Sequence, residues 1–457
     1  MPHSETRLLA EWIATMRLDD VPSEVVQHAK TCILDSIGCM IAGSATPACV
    51  TILNVLGRHG AGDTIVPGSG KTLALPSAAY LNAQAANALD FDDSFRSGAP
   101  SHPGATVVPP ALAIGQDRSA AGDDFIRAVI AGYEVSLRIG RAVQPSPERK
   151  QAVYGFSTWQ IFGAVSAACS LLGLSADQVV NALGLAAVHA PVPSLRKLGT
   201  GEPPPYPWIK NTYGAASEMG LLAALLAAEG YVGSRSIFEG DQGFWIMSGS
   251  DRYRPELMTE GLGRDWLLRD VGFKHYGCCR WTHTMLDALH DCAGNAKPAD
   301  IQSVDVYGFK ELYQLQGNPP GSVIDAQFHA PHVAALELLG RSPAQGLFES
   351  DLSDPQVATL RDKVGLHHEP AADEPYYQRG VLPVRVVVRL RNGSERSVFR
   401  ENPTGSAAAG GYPREAIEAK YLRLSSSALG QQRAASSMAA LSDIENRPLS
   451  AVLPLIA

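Results

Sequence analysis

The sequence has few charged and few aromatic residues for its length. Aspartate, glutamate, lysine and arginine together make up 18% of the 457 residues, and phenylalanine, tryptophan and tyrosine make up 7%. No block of lysine and arginine interleaved with aromatics occurs, and the formal net charge is −8. A nucleic-acid partner is therefore not expected, because neutralising phosphates requires clustered cations.

Motifs that accompany cofactors and activated nucleophiles are missing as well. The chain has no GxGxxG after a predicted strand, no P-loop, no HExxH and no GxSxG, so nucleotide-dependent, zinc-protease and α/β-hydrolase chemistry have no support. The seven cysteines form no CxxC pair, and the adjacent Cys278 and Cys279 cannot easily chelate one tetrahedral metal ion. We therefore expect no metal site.

Targeting signals are also missing. The start, MPHSETRLLAEWIATM, lacks the basic-then-apolar order of a signal peptide. No apolar run reaches membrane-spanning length. The expectation is a cytoplasmic protein without a membrane partner.

What the sequence has in abundance is helical periodicity, which dominates the first 268 residues. SEVVQHAKTCILDSIGCMIAGS places apolar residues every three to four positions, with Ser23 as the expected N-cap. GAASEMGLLAALLAAEGYVG is apolar nearly all round, which indicates a buried central helix.

The pattern changes after about residue 268. IQSVDVYGF alternates as a strand, and PVRVVVRLRNGSERSVFREN predicts a hairpin around an Asn-Gly turn. Helical patterns return after residue 403. The predicted fold is mainly α, with a large all-helical domain formed by both chain ends (1–268 and 403–457) and an inserted α+β domain (269–402).

The segment NALDFDDSFRSGAPSHPGA contains the largest group of candidate catalytic and binding residues. It contains Asp90, Asp92, Asp93, Arg96 and His102 between two apolar runs. Three carboxylates cannot all be buried and ionised without partners, and a neutral imidazole before a helix could exchange protons near pH 7. Taken alone, the segment is more typical of a solvated acidic loop than of an active-site wall.

Further cations and proton carriers lie on three other segments. FKHYGCCRWTHTMLDAL supplies Lys274, Arg280 and His283, and the lysine and arginine are suited to anchoring carboxylates. A proline-rich loop, EPPPYPWIKNTYG, delivers Lys210 to the start of the central helix, and RKQAVYGF brings Tyr154 to another.

Together these segments resemble the methylcitrate dehydratase-like (MmgE/PrpD) family. The resemblance runs through ILDSIGCMIAGS, LDFDD…SHPGA, FGAVSAACSLLGLS, WIK…GLLAALLAAEGY and KHYGCC…H…LDA to the C-terminal helices. It implies a helical domain built from both chain ends, an inserted α+β lid, a homodimer, and an active site between domain and lid. It also implies cofactor-independent chemistry on a small polycarboxylate.

By motif position, the resemblance assigns site roles to Asp90, His102 and Lys274, and places Lys210 near the family's second lysine. The chain departs from the family where dehydratase- and decarboxylase-like members carry a histidine in GFHxT, since GFSTW puts Ser157 there. It also has His329 and His332 where a serine and a tyrosine are usual. These departures favour the iminodisuccinate epimerase branch.

The resulting hypothesis is a cofactor-independent, two-base epimerase of iminodisuccinate. Lys274, Arg280 and Lys210 would hold the carboxylates and stabilise an enolate-like intermediate. His102 is the first base and Asp90 orients it or a lysine, while Tyr154, Lys210 and a thiol remain open as the second base. Substrate-binding positions are also predicted at Asp93, Arg96, Cys278, Arg280 and His283. The alternatives are a methylcitrate dehydratase-like hydro-lyase, a decarboxylase of a related tricarboxylate, and a dicarboxylate-binding relative without turnover.

Overall fold

The computed structural model describes residues 4–150, 152–153, 157–191 and 204–457, without the side chain of Ser157. Within these residues the protein is mainly α-helical, as predicted. The α-helices are α1 (Glu5–Thr15), α2 (Ser23–Gly43), α3 (Pro47–His59), α4 (Leu75–Ala88), α5 (Gly104–Asp117), α6 (Gly122–Ala142), α7 (Pro147–Lys150), α8 (Ser157–Leu172), α9 (Ala176–Val188), α10 (Tyr213–Ala228), α11 (Phe244–Met247), α12 (Glu256–Thr259), α13 (His283–Ala293), α14 (Lys310–Tyr313), α15 (Val323–Gln327), α16 (Ala330–Leu338), α17 (Glu349–Leu352), α18 (Pro355–Arg361), α19 (Arg414–Leu429), α20 (Gln431–Ser442) and α21 (Leu449–Ile456).

Six strands form two sheets among the described residues. They are β1 (Thr64–Val66), β2 (Lys71–Leu73), β3 (Ile301–Gly308), β4 (Val364–His368), β5 (Val384–Leu390) and β6 (Glu395–Arg400). The larger sheet has the order β4-β3-β5-β6, with β3–β4 parallel and the other two pairs antiparallel. The predicted strand and hairpin are confirmed as β3 and β5–β6, whereas the sequence pattern indicated neither β4 nor the β1–β2 hairpin.

Both ends of the chain contribute to one hydrophobic cluster. Side chains from α2, α5 and α6 pack there with side chains from α19, α20 and α21. A separate cluster joins α13 and α16 to the larger sheet. This grouping is what an insertion into a helical domain would produce, while the boundaries at 268 and 402 and the role of the insertion as a lid stay predictions.

The N-cap of α2 lies one position earlier than expected. Pro22 occupies the N-cap position and makes no side-chain capping bond, and Ser23 is the first helical residue. The prediction of Ser23 as the N-cap was therefore wrong. Proline has no side-chain acceptor, so no side chain at the N-cap position bonds the free N–H groups of the first turn.

No single described helix has the length and apolar composition of a membrane span. Only α2 and α3 taken together reach that composition, and they are bent by 82° at the break between them.

Candidate active site

The Asp-rich segment lies between α4 and α5 and is buried. Asp90 is 4% exposed, and Asp92 and Asp93 are fully inaccessible. The segment is therefore not the solvated loop that it resembles when taken alone. Burying three carboxylates requires that each be compensated by hydrogen bonds or opposite charge, and each has a different set of partners.

Asp90 is held by two lysines from distant parts of the chain. Its carboxylate lies 3.2 Å from Lys210 Nζ and 2.9 Å from Lys274 Nζ, and Lys274 also donates to the Asp90 backbone carbonyl at 2.9 Å. Burial alone would raise the pKa of Asp90, but the two ammonium groups outweigh it and hold this pKa well below its usual range. Asp90 is thus an ionised carboxylate that fixes both lysines.

The backbone of Asp90 adopts a left-handed conformation, with φ of +51°. A non-glycine residue there costs on the order of 1–3 kcal/mol and persists only where surrounding contacts enforce it. Lys274 Nζ bonds both the carbonyl and the carboxylate of this residue. The strained turn aims the carboxylate between the two lysines.

The two ammonium groups differ in their surroundings. Burial lowers the pKa of Lys210, and the nearby carboxylate of Asp90 only partly opposes this. For Lys274 burial also acts downward, but Asp90 and Asp92 together raise its pKa. Each ammonium has three N–H groups. Lys274 is sealed from solvent, whereas Lys210 remains 8% exposed.

Gln327, which the sequence analysis missed, completes the setting of Lys210. Its side-chain oxygen accepts from Lys210 Nζ at 2.8 Å, and its Nε2 donates to the carbonyl of Ala88 at 3.0 Å. Its backbone carbonyl also accepts from Cys279 N at 2.8 Å. Gln327 is the last residue of α15. Its side chain therefore connects α15 to Ala88 at the end of α4 and to Lys210.

His102 lies at the other end of the loop, just before α5. Its Nδ1 is 2.8 Å from the Asp93 carbonyl and 3.5 Å from Asp92 Oδ2. Since a carbonyl only accepts, Nδ1 carries the proton and Nε2 is the basic nitrogen. Burial lowers the pKa of His102, although Asp92 opposes this, so the imidazole of the free protein is neutral at pH 7.

Asp92 and Asp93 are bound to helices behind the loop. Asn87 Nδ2 donates to both oxygens of Asp92, at 2.9 and 3.1 Å. Asp93 accepts from Tyr133 OH at 2.6 Å and from Gly104 N at 3.0 Å. Burial raises the pKa of Asp93 to about 8. A Cβ at Gly104 would lie 2.3 Å from Ser36 Oγ, so only glycine lets α5 start this close to the carboxyl group.

Lys420 was also missed by the sequence analysis. Its Nζ donates to Asp35 Oδ1 at 2.7 Å, to the Phe91 carbonyl at 2.5 Å and to the Lys274 carbonyl at 3.2 Å. It therefore holds the backbone next to Asp90 and at Lys274 itself. The sequence did contain an indication that Lys420 is buried. Lys420 follows Ile417 by three positions and precedes Tyr421, and both of these residues lie on the buried face of α19.

Three other expected substrate contacts, Cys278, Arg280 and His283, lie on the turn before α13 and at its first residue. His283 accepts from Arg280 Nη1 at 3.4 Å through Nδ1 and meets the Cys278 carbonyl at 3.1 Å through Nε2. Burial lowers the pKa of His283 well below its ordinary value. Burial also raises the pKa of the Cys278 thiol, and that of Cys279 to about 12. The thiols are thus protonated at neutral pH and are not bases there.

The remaining positions are placed as follows. Arg96 packs its guanidinium 5.2 Å from the centre of the Tyr376 ring and donates to the Gly380 carbonyl at 3.4 Å. His329 accepts from His332 N at the start of α16. Tyr154, the predicted alternative base, lies outside the described residues, as does the side chain of Ser157.

The structure brings Asp90, His102, Lys210 and Lys274 into one buried cluster, hereafter the Asp90 cluster. It combines two ammonium groups, an ionised carboxylate and a neutral imidazole. Such a set can bind carboxylates, stabilise negative charge that develops on carbon and move a proton. Among the described residues, no group of three or more histidine, cysteine, aspartate or glutamate side chains is arranged to hold a metal ion.

The described residues thus form a mainly α-helical protein with a buried cluster of cationic and proton-exchanging side chains. The chain belongs to the MmgE/PrpD family. A family model described as the MmgE/PrpD N-terminal domain matches residues 7–255, and one described as the MmgE/PrpD C-terminal domain matches residues 276–444.

Characterised relatives cover most of the chain. A cis-aconitate decarboxylase-like protein of Aspergillus oryzae is 26% identical over 97% of this chain and 94% of its own length. The cis-aconitate decarboxylase of Homo sapiens is 27% identical over 86% of this chain and 82% of its own. The 2-methylcitrate dehydratase of Cupriavidus necator is 22% identical over 76% and 74%.

These relatives correct the predicted reaction class. The sequence analysis favoured an isomerase that epimerises iminodisuccinate, but decarboxylases and dehydratases are lyases, and none of these relatives is an isomerase. The epimerase prediction was therefore wrong. It rested on departures from the family pattern at Ser157, His329 and His332, and a few changed polar groups do not identify a reaction when the same anchors serve several.

Proposed function

We propose that the protein is a lyase that decarboxylates a cis-aconitate-like tricarboxylate at the Asp90 cluster. The observation that carries this proposal is the convergence of Lys210, Lys274 and His102 on one buried loop, with Asp90 fixing both ammonium groups. The full-length similarity to cis-aconitate decarboxylases supports the same substrate class.

The reaction needs anchors and one proton. The bond between a CH2 carbon and its carboxylate breaks, CO2 leaves, and the electron pair shifts through the adjacent C=C bond toward a remaining carboxylate. The former CH2 carbon becomes one end of a new C=C bond, and one proton added to the former alkene carbon that bears that carboxylate yields an unsaturated dicarboxylate and balances the equation. Lys210, whose ammonium has a third N–H beyond those directed at Asp90 and Gln327, would hold a substrate carboxylate and stabilise the developing charge.

His102 would supply the proton. In the free protein its imidazole is neutral because burial lowers its pKa. A bound tricarboxylate places negative charge beside it, which favours the imidazolium form. The Nδ1–H bond to the Asp93 carbonyl fixes the ring, so that Nε2 delivers the proton.

Dehydration of a 2-methylcitrate-like substrate is the second candidate. It requires a base for a Cα–H and an acid for the departing hydroxyl, and the cluster holds both a neutral imidazole, at His102, and an ammonium with a lowered pKa, at Lys210. Similarity to 2-methylcitrate dehydratases supports it over a smaller share of the chain.

The test is proton NMR in heavy water with cis-aconitate and 2-methylcitrate in separate tubes. Decarboxylation predicts loss of cis-aconitate with CO2 release and one deuterium in the product, whereas new unsaturated product from 2-methylcitrate would instead establish the dehydratase. Tight binding of either compound without turnover would establish a binding protein and refute both reactions.

A matched pair of variants ties the activity to the cluster. Lys210→Met removes an ammonium that contacts Asp90, and Lys297→Met removes one at an exposed position. Turnover should be lost in the first and kept in the second.

A further inference from the structure

A cavity lies among four segments of the chain, at residues 94–97, 270–280, 379–382 and 402–408. Its volume is about 70 Å³, and its wall includes Ser94, Arg96, Arg280 and Arg379. No member of the Asp90 cluster lines it. It is therefore distinct from the site to which the proposed reaction is assigned.

Arg280 is the buried cation of this wall. It is only 5% exposed, and its Nη1 donates to the Phe273 carbonyl at 3.1 Å. Its Nε has no hydrogen-bond partner. Within the described part of the chain, Arg280 forms no ion pair with a carboxylate. A buried guanidinium without an anion is costly.

The other charged groups of the wall do not compensate Arg280. Arg96 forms no ion pair with any described carboxylate either, its Nε meeting only the Gly380 carbonyl. Arg379 is neutralised by Glu401, 2.6 Å away. The one acidic residue on the wall, Asp270, is exposed. Burial and the charge of Arg96 lower the pKa of Arg280 to about 10, although the carboxylate of Asp287 acts in the opposite direction.

We propose that this cavity binds a small oxyanion, a carboxylate or phosphate group, between Arg96 and Arg280. The fork of N–H donors on each guanidinium matches the oxygens of either group. One ordered water needs roughly 10–15 Å³, so the cavity of about 70 Å³ has room for a group of four or five heavy atoms, but not for a nucleotide.

Binding in this cavity affects the Asp90 cluster, because the cavity lies beside the segments that supply it. Ser94 and Arg96 follow the Asp90–Asp93 loop, and the backbone of Ser94 pairs with that of Gly272, two residues before Lys274. An anion that draws Arg96 and Arg280 together clamps both segments that supply the Asp90 cluster. The site is an anion-binding position beside the reacting centre.

The test is calorimetric titration of the full chain with inorganic phosphate and with acetate, at constant ionic strength set by sodium chloride. The arms distinguish a phosphate ligand from a carboxylate ligand. Saturable binding of at least one anion to the wild type is expected, with affinity reduced at least tenfold in Arg280→Gln and in Arg96→Gln, because a charge-assisted pair is lost. Arg264→Gln, at an exposed position, should bind as the wild type does.

Lys210→Met separates this cavity from the Asp90 cluster. The proposal expects this variant to keep the affinity of the wild type for the anion. Loss of binding in Lys210→Met with retention in Arg280→Gln and Arg96→Gln would assign the anion to the Asp90 cluster and overturn the proposal. Failure of both anions to bind saturably would overturn it as well. If Arg280→Gln does not fold, Arg96→Gln decides.

Discussion

Lys420 and Asp35 form a buried ion pair, Nζ to Oδ1 2.7 Å, between residues 385 positions apart in the chain. The lysine lies on α19 and the aspartate on α2, so the pair joins the two ends of the chain. Through its bonds to the Phe91 and Lys274 carbonyls, the same ammonium holds the two segments that meet at Asp90. It is a positioning residue, because it acts on the cluster through the backbone.

Replacing Lys420 by methionine should destabilise the protein by about 3–5 kcal/mol, because it leaves Asp35 buried without its cation. Urea unfolding measures this, with Lys297→Met as a control that changes stability by less than about 0.5 kcal/mol.

The double variant Lys420→Met with Asp35→Asn separates stability from positioning. It removes both charges, so part of the stability should return. The Phe91 and Lys274 carbonyls still lack their donor, so kcat should stay low with KM less affected. Full recovery of kcat in the double variant would show that Lys420 serves stability alone.

Replacing His102 by asparagine should lower kcat/KM by roughly 10²–10⁴-fold, the usual contribution of a positioned proton carrier. Asparagine can still donate to the Asp93 carbonyl, so the loop should keep its shape and the unfolding midpoint should move little. His59→Asn, at an exposed position on α3, is the matched control. Activity within a few-fold of the wild type in His102→Asn would remove His102 from the reaction.

The pH dependence distinguishes the two candidate reactions. The pKa of His102 lies below its ordinary value of 6.5 in the free protein and should rise when a tricarboxylate binds. A decarboxylase that uses the imidazolium as an acid loses kcat as pH rises through the pKa of the complex. A dehydratase that uses the neutral imidazole as a base loses kcat as pH falls through it. Imidazole NMR of His102 with and without bound citrate measures the shift, and no shift would argue against direct contact between the ring and substrate.

Much of the cluster could be predicted because charged residues stood out against apolar helices. Asp90, His102, Lys210 and Lys274 occupy short polar segments beside long buried ones, and the structure brings all four together. The partners of these residues could not be found this way. Gln327, which contacts Lys210, is an ordinary residue of a helical segment, and only tertiary packing places its side-chain oxygen within 3 Å of that lysine nitrogen. The same holds for Asp35, the partner of Lys420.

The fold shows the same division between local and non-local information. The β5–β6 hairpin was predictable because its turn and its alternation are contiguous in sequence. Strand β4 pairs in parallel with β3 from more than fifty residues away, and no local pattern specifies such a partner. The reaction class could not be predicted from the sequence pattern for a different reason. Carboxylate anchors and a histidine suit proton exchange, dehydration and decarboxylation alike.

Replacing Asp93 by asparagine should change how stability depends on pH. The pKa of Asp93 is raised from 3.8 to about 8 in the folded protein, so the native state binds more protons than the unfolded state between these values. The contribution of Asp93 is fully present below pH 3.8 and is lost as pH rises to about 8. Asparagine cannot ionise, so the stability of Asp93→Asn relative to the wild type should increase as pH rises from 4 to 8. Parallel unfolding curves for both proteins over this range would show that Asp93 is ionised in the native state, and that Tyr133 and Gly104 bind a carboxylate rather than a carboxylic acid.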